Sequence, residues 1–148
     1  MFCITIHKLL ESIYDSSNDI IIIDRGIFDK CFFGFKFYSE ELCSYDYFLL
    51  YLTLAKSSQH LIPNLCIHFT SSPEESIRRR GGEGRLVTTK WLNNYNHIFD
   101  KFLSKHIVDF GNMSFFSLDT TCLSKSEVAQ IVSDKIASSY IEHKNNHE

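Results

Sequence analysis

The sequence has no C-x-x-C pair, no long apolar run and no large excess of either charge. Each absence removes a class of protein. The five cysteines, Cys3, Cys31, Cys43, Cys66 and Cys122, are odd in number and scattered. A zinc site or redox motif is therefore not expected; free thiols in a reducing, cytoplasmic compartment are, with Cys66 in the core. The longest apolar stretch, around Tyr47 to Ala55, is far too short to cross a bilayer. Phe2 to Ile6 is apolar but brief, and no small-residue cleavage site follows, so no secretory leader is expected. A formal net charge of −3 gives no general attraction to nucleic acid or an anionic membrane, so any anion site must be local. His143 and His147 stand four apart, but in a polar tail that does not point to a metal.

What is present is ordinary for a soluble globular protein: 44% hydrophobic and 22% charged residues over 148 positions, enough for one domain with a core. Thirteen phenylalanines and seven tyrosines make that core bulky. The most distinctive stretch is Asn18 to Asp29, NDIIIIDRGIFD. A short β-branched run bounded by polar residues predicts a strand covered on both faces at Ile20–Ile23. Asp24 and Arg25 then stand at its carboxyl end, where ligands bind in open α/β sheets. A carboxylate there can hold a metal ion, and a guanidinium can grip a phosphate through two bonds. The plainer alternative is a buried strand whose last residues ion-pair.

Along the chain, Met1 to Tyr14 has helical spacing and Asp15 to Asp19 reads as a turn. Ile27 to Tyr38 is dense in aromatics at helical spacing, with Gly34 expected to kink or end the helix. Ser39 is placed as the N-cap of a second helix running to about Ser57. A connection with Pro63 leads to a strand at Leu65–Phe69. Ser72, Pro73, Glu74 and Glu75 then open a short helix. That helix reaches RRRGGEGR, Arg78 to Arg85, where four arginines and three glycines lie within eight residues. A mobile loop bearing arginines suits closure over a polyanion; a solvated helix end is the alternative. Thr88 to His106 carries one apolar stripe of seven residues from Trp91 to Leu103. A strand at Ser114–Leu118 ends in Asp119-Thr120-Thr121. Ser124 and Glu127 form a capping box for a last helix, with a frayed tail from Glu142. Strands alternating with helices imply a mainly parallel α/β sheet.

Three pieces, IIIIDRG, LCIHFTSSPEESIRRRG and a short strand ending in Asp-Thr-Thr, stand in an order that resembles the C-terminal part of the P-loop kinases. These include the deoxynucleoside kinases and thymidylate kinase. The resemblance covers roughly Ile20 to Thr121. It implies a partial three-layer parallel sheet flanked by helices, with the N-terminal strands missing. It also implies ATP-dependent phosphoryl transfer, with ATP and Mg2+ as expected cofactors and a nucleoside or nucleotide as the small-molecule partner. On this resemblance Asp24 is the acid near magnesium, Arg25 aligns the acceptor, and Arg79 is the lid-helix arginine. Arg78, Arg80 and Arg85 face the donor nucleotide, and Phe28, Phe32 and Phe33 line part of the acceptor pocket. Chemistry of this kind is mostly positioning and charge neutralisation, which these residue types supply.

The chain also departs from the family. It contains no G-x-x-x-x-G-K-[S/T], and only 23 residues precede Asp24. The acid that follows the family's second strand has no counterpart, and the lid turn is compressed. In such kinases the phosphate-loop strand lies between the Asp-Arg and Ser-Pro-Glu strands. Losing it leaves two edges whose backbone groups need partners. Those strands pair directly, another chain supplies the missing one, as in a homodimer, or the sequence is a fragment, which is the expectation adopted. A single, incomplete domain over residues 1–148 is expected, inactive by itself. Two alternatives stay open: a non-catalytic remnant binding a nucleotide or a protein, and a Walker-B-type ATPase.

Overall fold

Residues 20–58, 62–82, 84 and 87–145 are described by a computed structural model. In chain order the elements are α1 (Ile27–Ser39), α2 (Tyr45–Ser57), β1 (Leu65–Thr70), α3 (Pro73–Arg79), α4 (Thr89–His106), a 3-10 turn (Ile107–Phe110), β2 (Ser114–Asp119) and α5 (Lys125–Asn145). Among the described residues this is an α/β chain, mostly helical, with one two-stranded parallel sheet. It divides into two compact units: Met1–Pro63 with Lys101–Gly111, and Asn64–Asp100 with Asn112–Glu148. The residues of α4 belong partly to each unit.

The first unit is built on phenylalanine. Ile27, Phe28, Cys31, Phe32 and Phe35 recur at three- and four-residue spacing along α1 and are buried with Phe48, Leu52 and Ala55 of α2. Phe102 and Phe110 complete this core. The Phe102 ring lies 5.4, 5.7 and 5.6 Å from those of Phe28, Phe32 and Phe35. Each buried ring stabilises the unit by roughly 2 kcal/mol, and each tilted or edge-on pair adds about 1 kcal/mol. Gly34 neither kinks nor ends α1. It is buried where α1 meets α2, and a Cβ there would lie 3.2 Å from Tyr51 Cδ2 and 3.4 Å from Phe48 Cα. Absence of a side chain lets the helices approach.

In the second unit β1 and β2 pair in parallel, Leu65 opposite Ser114 through Thr70 opposite Asp119. His68 stacks on Phe99 with ring centroids 4.0 Å apart, and burial lowers its pKa against the pull of Asp100. The caps expected at Ser72 and Ser124 form: Ser72 Oγ accepts from the Glu75 amide at 3.1 Å, and Ser124 and Glu127 bond reciprocally. Thr88 Oγ1 likewise accepts from the Trp91 amide at 3.2 Å, a cap the sequence reading did not name.

Four further expectations are corrected. Ile20–Ile23 is not a covered strand: it joins no ladder and its side chains are between 36% and 81% exposed. Composition alone does not make a strand; a neighbouring backbone must accept and donate. The helix expected from Ser39 starts at Tyr45 after Ser44, because Glu40 and Glu41 form the end of α1. Glu41 adopts φ 58°, and the Leu42 amide returns to the Phe37 carbonyl at 2.8 Å, the pattern of a helix stop. The tail from Glu142 does not fray at once, since α5 continues to Asn145. Cys66 is half-buried in β1 rather than in the core. The expected N-terminal helix, the Asp15–Asp19 turn and His147 lie outside the described residues. No described helix is long and apolar enough to cross a membrane.

Candidate functional site

In the second unit the carboxyl ends of β1 and β2 gather polar groups. Thr120 donates its amide and its hydroxyl to the Thr70 carbonyl, at 2.8 and 2.9 Å. The Ser72 amide donates to Thr121 Oγ1 at 2.8 Å, and Asp119 Oδ1 accepts from both the amide and the hydroxyl of Thr121. Those two bonds hold the Asp119 carboxyl below its usual range. Arg79, in the last turn of α3, reaches this corner. Its Nη1 donates to Thr120 Oγ1 at 2.9 Å, and its Nη2 donates to the Thr120 and Thr121 carbonyls.

Glu75 orients the arginines. Arg78 grips its carboxylate with Nε and Nη2, both at 2.6 Å, and Arg79 Nε donates to it at 2.7 Å. These bonds hold the Glu75 carboxyl down at about 2. Arg80 is exposed at the end of α3. The chain turns there on Gly81, whose φ of 86° suits glycine, with the Gly82 amide on the Ile77 carbonyl at 3.0 Å. Arg85 lies outside the described residues.

In the first unit Asp24 and Arg25 are exposed, and Arg25 adopts φ 61°, a region that costs a non-glycine residue about 1–2 kcal/mol. Arg25 borders a cavity of about 270 Å³, lined also by Asp29, Lys30, Phe33, Gly34, Phe37, Tyr47 and Tyr51. Of the three aromatics expected around an acceptor, Phe33 lines this cavity, whereas Phe28 and Phe32 are core residues, 5% and 1% exposed. Burial raises the Asp29 carboxyl pKa, against the opposing pull of Arg25. Tyr47 and Tyr51 share a hydroxyl–hydroxyl bond of 2.7 Å, which with burial pushes the Tyr51 phenol up to about 12. Sequence reasoning missed both tyrosines as cavity residues. The signal was their spacing, one turn apart on α2, but the same spacing also describes a buried stripe.

The arrangement offers two chemistries. The strand-end corner gathers a guanidinium and two hydroxyls whose hydrogen bonds run to Thr70, Asp119, Glu75, Thr120 and Thr121, with the exposed guanidinium as its cationic group. The cavity combines aromatic walls with charged groups at its border. Asp24 is the carboxylate that the resemblance assigns to a metal; among the described residues no three His, Cys, Asp or Glu side chains gather into a metal-holding group. No family model, no curated protein and no solved structure matches this chain.

Proposed function

We propose that the chain is the C-terminal part of a P-loop kinase of the deoxynucleoside kinase and thymidylate kinase type. Its reaction is transfer of a phosphoryl group from ATP to a nucleoside, a nucleotide or a similar small acceptor. The observation that carries this reading is the strand-end corner. Arg79, on the helix that follows Ser72-Pro73-Glu74, meets Asp119-Thr120-Thr121 at the carboxyl end of a parallel strand pair. Two of the three pieces that carry the resemblance thus converge where open α/β sheets bind their ligands.

The roles follow from charge. Asp24 holds magnesium, Arg25 aligns the acceptor, and Arg78, Arg79, Arg80 and Arg85 neutralise the donor phosphates. On this reading the Ile20–Ile23 run, which forms no strand here, becomes one only beside the missing segment, in a partial three-layer fold. These 148 residues hold no phosphate loop, so turnover by this chain alone is not expected. A second reading is a non-catalytic module that binds a nucleotide or a protein. The engagement of Arg79 by Glu75, Thr120 and Thr121 favours it.

The deciding experiment extends the reading frame upstream of Met1 and assays the purified product with ATP and Mg2+ against nucleosides, nucleotides and small alcohols. Phosphoryl transfer that Asp24→Asn or Arg25→Ala abolishes supports the kinase. A folded product that carries a phosphate loop yet transfers nothing overturns it, as does an upstream frame with no such loop.

A further inference from the structure

In the first unit the α1–α2 hairpin ends in an apolar surface used by neither the core nor the cavity. α1 stops on left-handed Glu41, and the Leu42 amide on the Phe37 carbonyl turns the chain toward α2. Tyr38, in the last turn of α1, meets Tyr45, the first residue of α2, edge to face with ring centroids 5.2 Å apart. Leu42 stands in the turn between them, and Leu49 follows Tyr45 one turn along the same ridge of α2. Tyr38, Leu42, Tyr45 and Leu49 are between 40% and 70% exposed. At about 200 Å² for a large side chain they present roughly 400 Å², a size at which a patch on a monomer is often functional.

Charge narrows what this surface can take. From Phe37 to Ala55 the chain holds three acids, Glu40, Glu41 and Asp46, and no base. The lysines that flank the stretch are engaged, Lys36 by Glu40 and Lys56 by Asp109. Glu41 and Asp46 are exposed, and among the described residues neither enters an ion pair. Glu41 adjoins Leu42 and Asp46 adjoins Tyr45, so the hairpin gives the patch an acidic rim. Arg25 and Lys30, with Asp24 and Asp29, belong to the opposite end of α1; Lys101 and Lys105 are exposed in the same unit but carried by α4. A second copy meeting the patch across a two-fold axis would set Glu41 and Asp46 against their own images. An anionic membrane would be repelled. A cationic helix gains twice, from its apolar ridge on Tyr45 and Leu49 and from its bases beside the two acids.

We propose that this end of the hairpin docks a cationic amphipathic helix of a partner protein. Leu42, Tyr45 and Leu49 take its apolar face, and Glu41 and Asp46 take its basic rim. No residue given a role in phosphoryl transfer takes part, so the two readings stand or fall separately.

The test is fluorescence anisotropy of two labelled synthetic helices against the 148-residue chain: one of leucine and lysine at amphipathic spacing, and the same helix with glutamate for lysine. The lysine helix is expected to bind, more weakly as salt rises, and the glutamate helix to show no binding. Glu41→Gln with Asp46→Asn should weaken binding about three- to tenfold, the effect of two exposed ion pairs. Leu42→Ser with Leu49→Ser should weaken it at least about tenfold and leave the circular dichroism unchanged, since both side chains are already exposed. Asp134→Asn with Glu142→Gln removes the same charge from α5 and should change nothing. No binding of the lysine helix, equal binding of the two helices, or equal weakening by the α5 pair overturns the proposal. Binding of the chain to vesicles of equimolar phosphatidylserine and phosphatidylcholine overturns it too, as does a dimer in light scattering that Leu42→Ser with Leu49→Ser disperses.

Discussion

Arg79 donates through Nη1 to the hydroxyl of Thr120, 2.9 Å away and 41 residues later in the chain. The same guanidinium reaches the Thr120 carbonyl and the Glu75 carboxylate. Arg79→Ala should therefore destabilise the second unit by about 1–3 kcal/mol, since it strips a donor from four acceptors, the Thr121 carbonyl included. Arg79→Lys should recover little, because an ammonium cannot reproduce the fork. Urea unfolding followed through Trp91, the single tryptophan and a residue of this unit, reads the effect. A fully stable Arg79→Ala chain would show that the bonds are incidental.

Gly34 sets the approach of α1 to α2. Gly34→Val should cost about 1–3 kcal/mol by overpacking against Tyr51 and Phe48, and should abolish ligand binding in the cavity. Gly34→Ala should be close to neutral, because about 1 kcal/mol of helix propensity offsets the crowding. Thermal melts of the two variants distinguish these outcomes.

Asp29 pays for its burial. Its folded pKa is raised, chiefly by desolvation, so its contribution is fully favourable only below the unfolded carboxylate pKa and is lost as pH rises through the folded value. Asp29→Asn should accordingly raise the melting temperature at pH 7, and the gain should vanish below the unfolded pKa, near pH 4. A lower melting temperature at pH 7 would mean that the carboxylate makes a favourable contact that outweighs desolvation.

Asp109 works in the opposite sense. Burial pushes its carboxyl up, but bonds from Lys56 Nζ at 2.6 Å and His106 Nδ1 at 2.9 Å outweigh it and hold the pKa below the usual range. Its stabilisation is present above the unfolded pKa and lost as pH falls through the folded one. Asp109→Asn should cost about 1–3 kcal/mol at pH 7 and progressively less in acid. Melts between pH 7 and pH 3 report the convergence of variant and parent.

The elements most legible in the sequence were those whose signals are local. The Trp91–Leu103 stripe and the hydroxyl caps at Ser72 and Ser124 depend on neighbours within one helical turn, and each appears where expected. The Leu65 and Ser114 strands were also found, since turn signals bounded them on both sides. Ile20–Ile23 was misread because a strand is a relation between two backbones, and the run itself says nothing about its partner. Glu40 and Glu41 look like a first turn, yet left-handed Glu41 closes a helix instead, a conformation no side chain announces. At the candidate site, Phe28 and Phe32 share one face of α1 and Phe33 lies a step around it, so one aromatic cluster divides between core and cavity. Lys30 was passed over because an isolated lysine on a helix has no pattern.

Quality control inside a cell would meet an unusual object here. Chaperones and degradation receptors survey for greasy, uncharged segments that folded chains normally hide, and four successive isoleucines lie in plain view on this one. Its lifetime would then be set less by how often it unfolds than by how often that segment is found, and masking those residues should lengthen it.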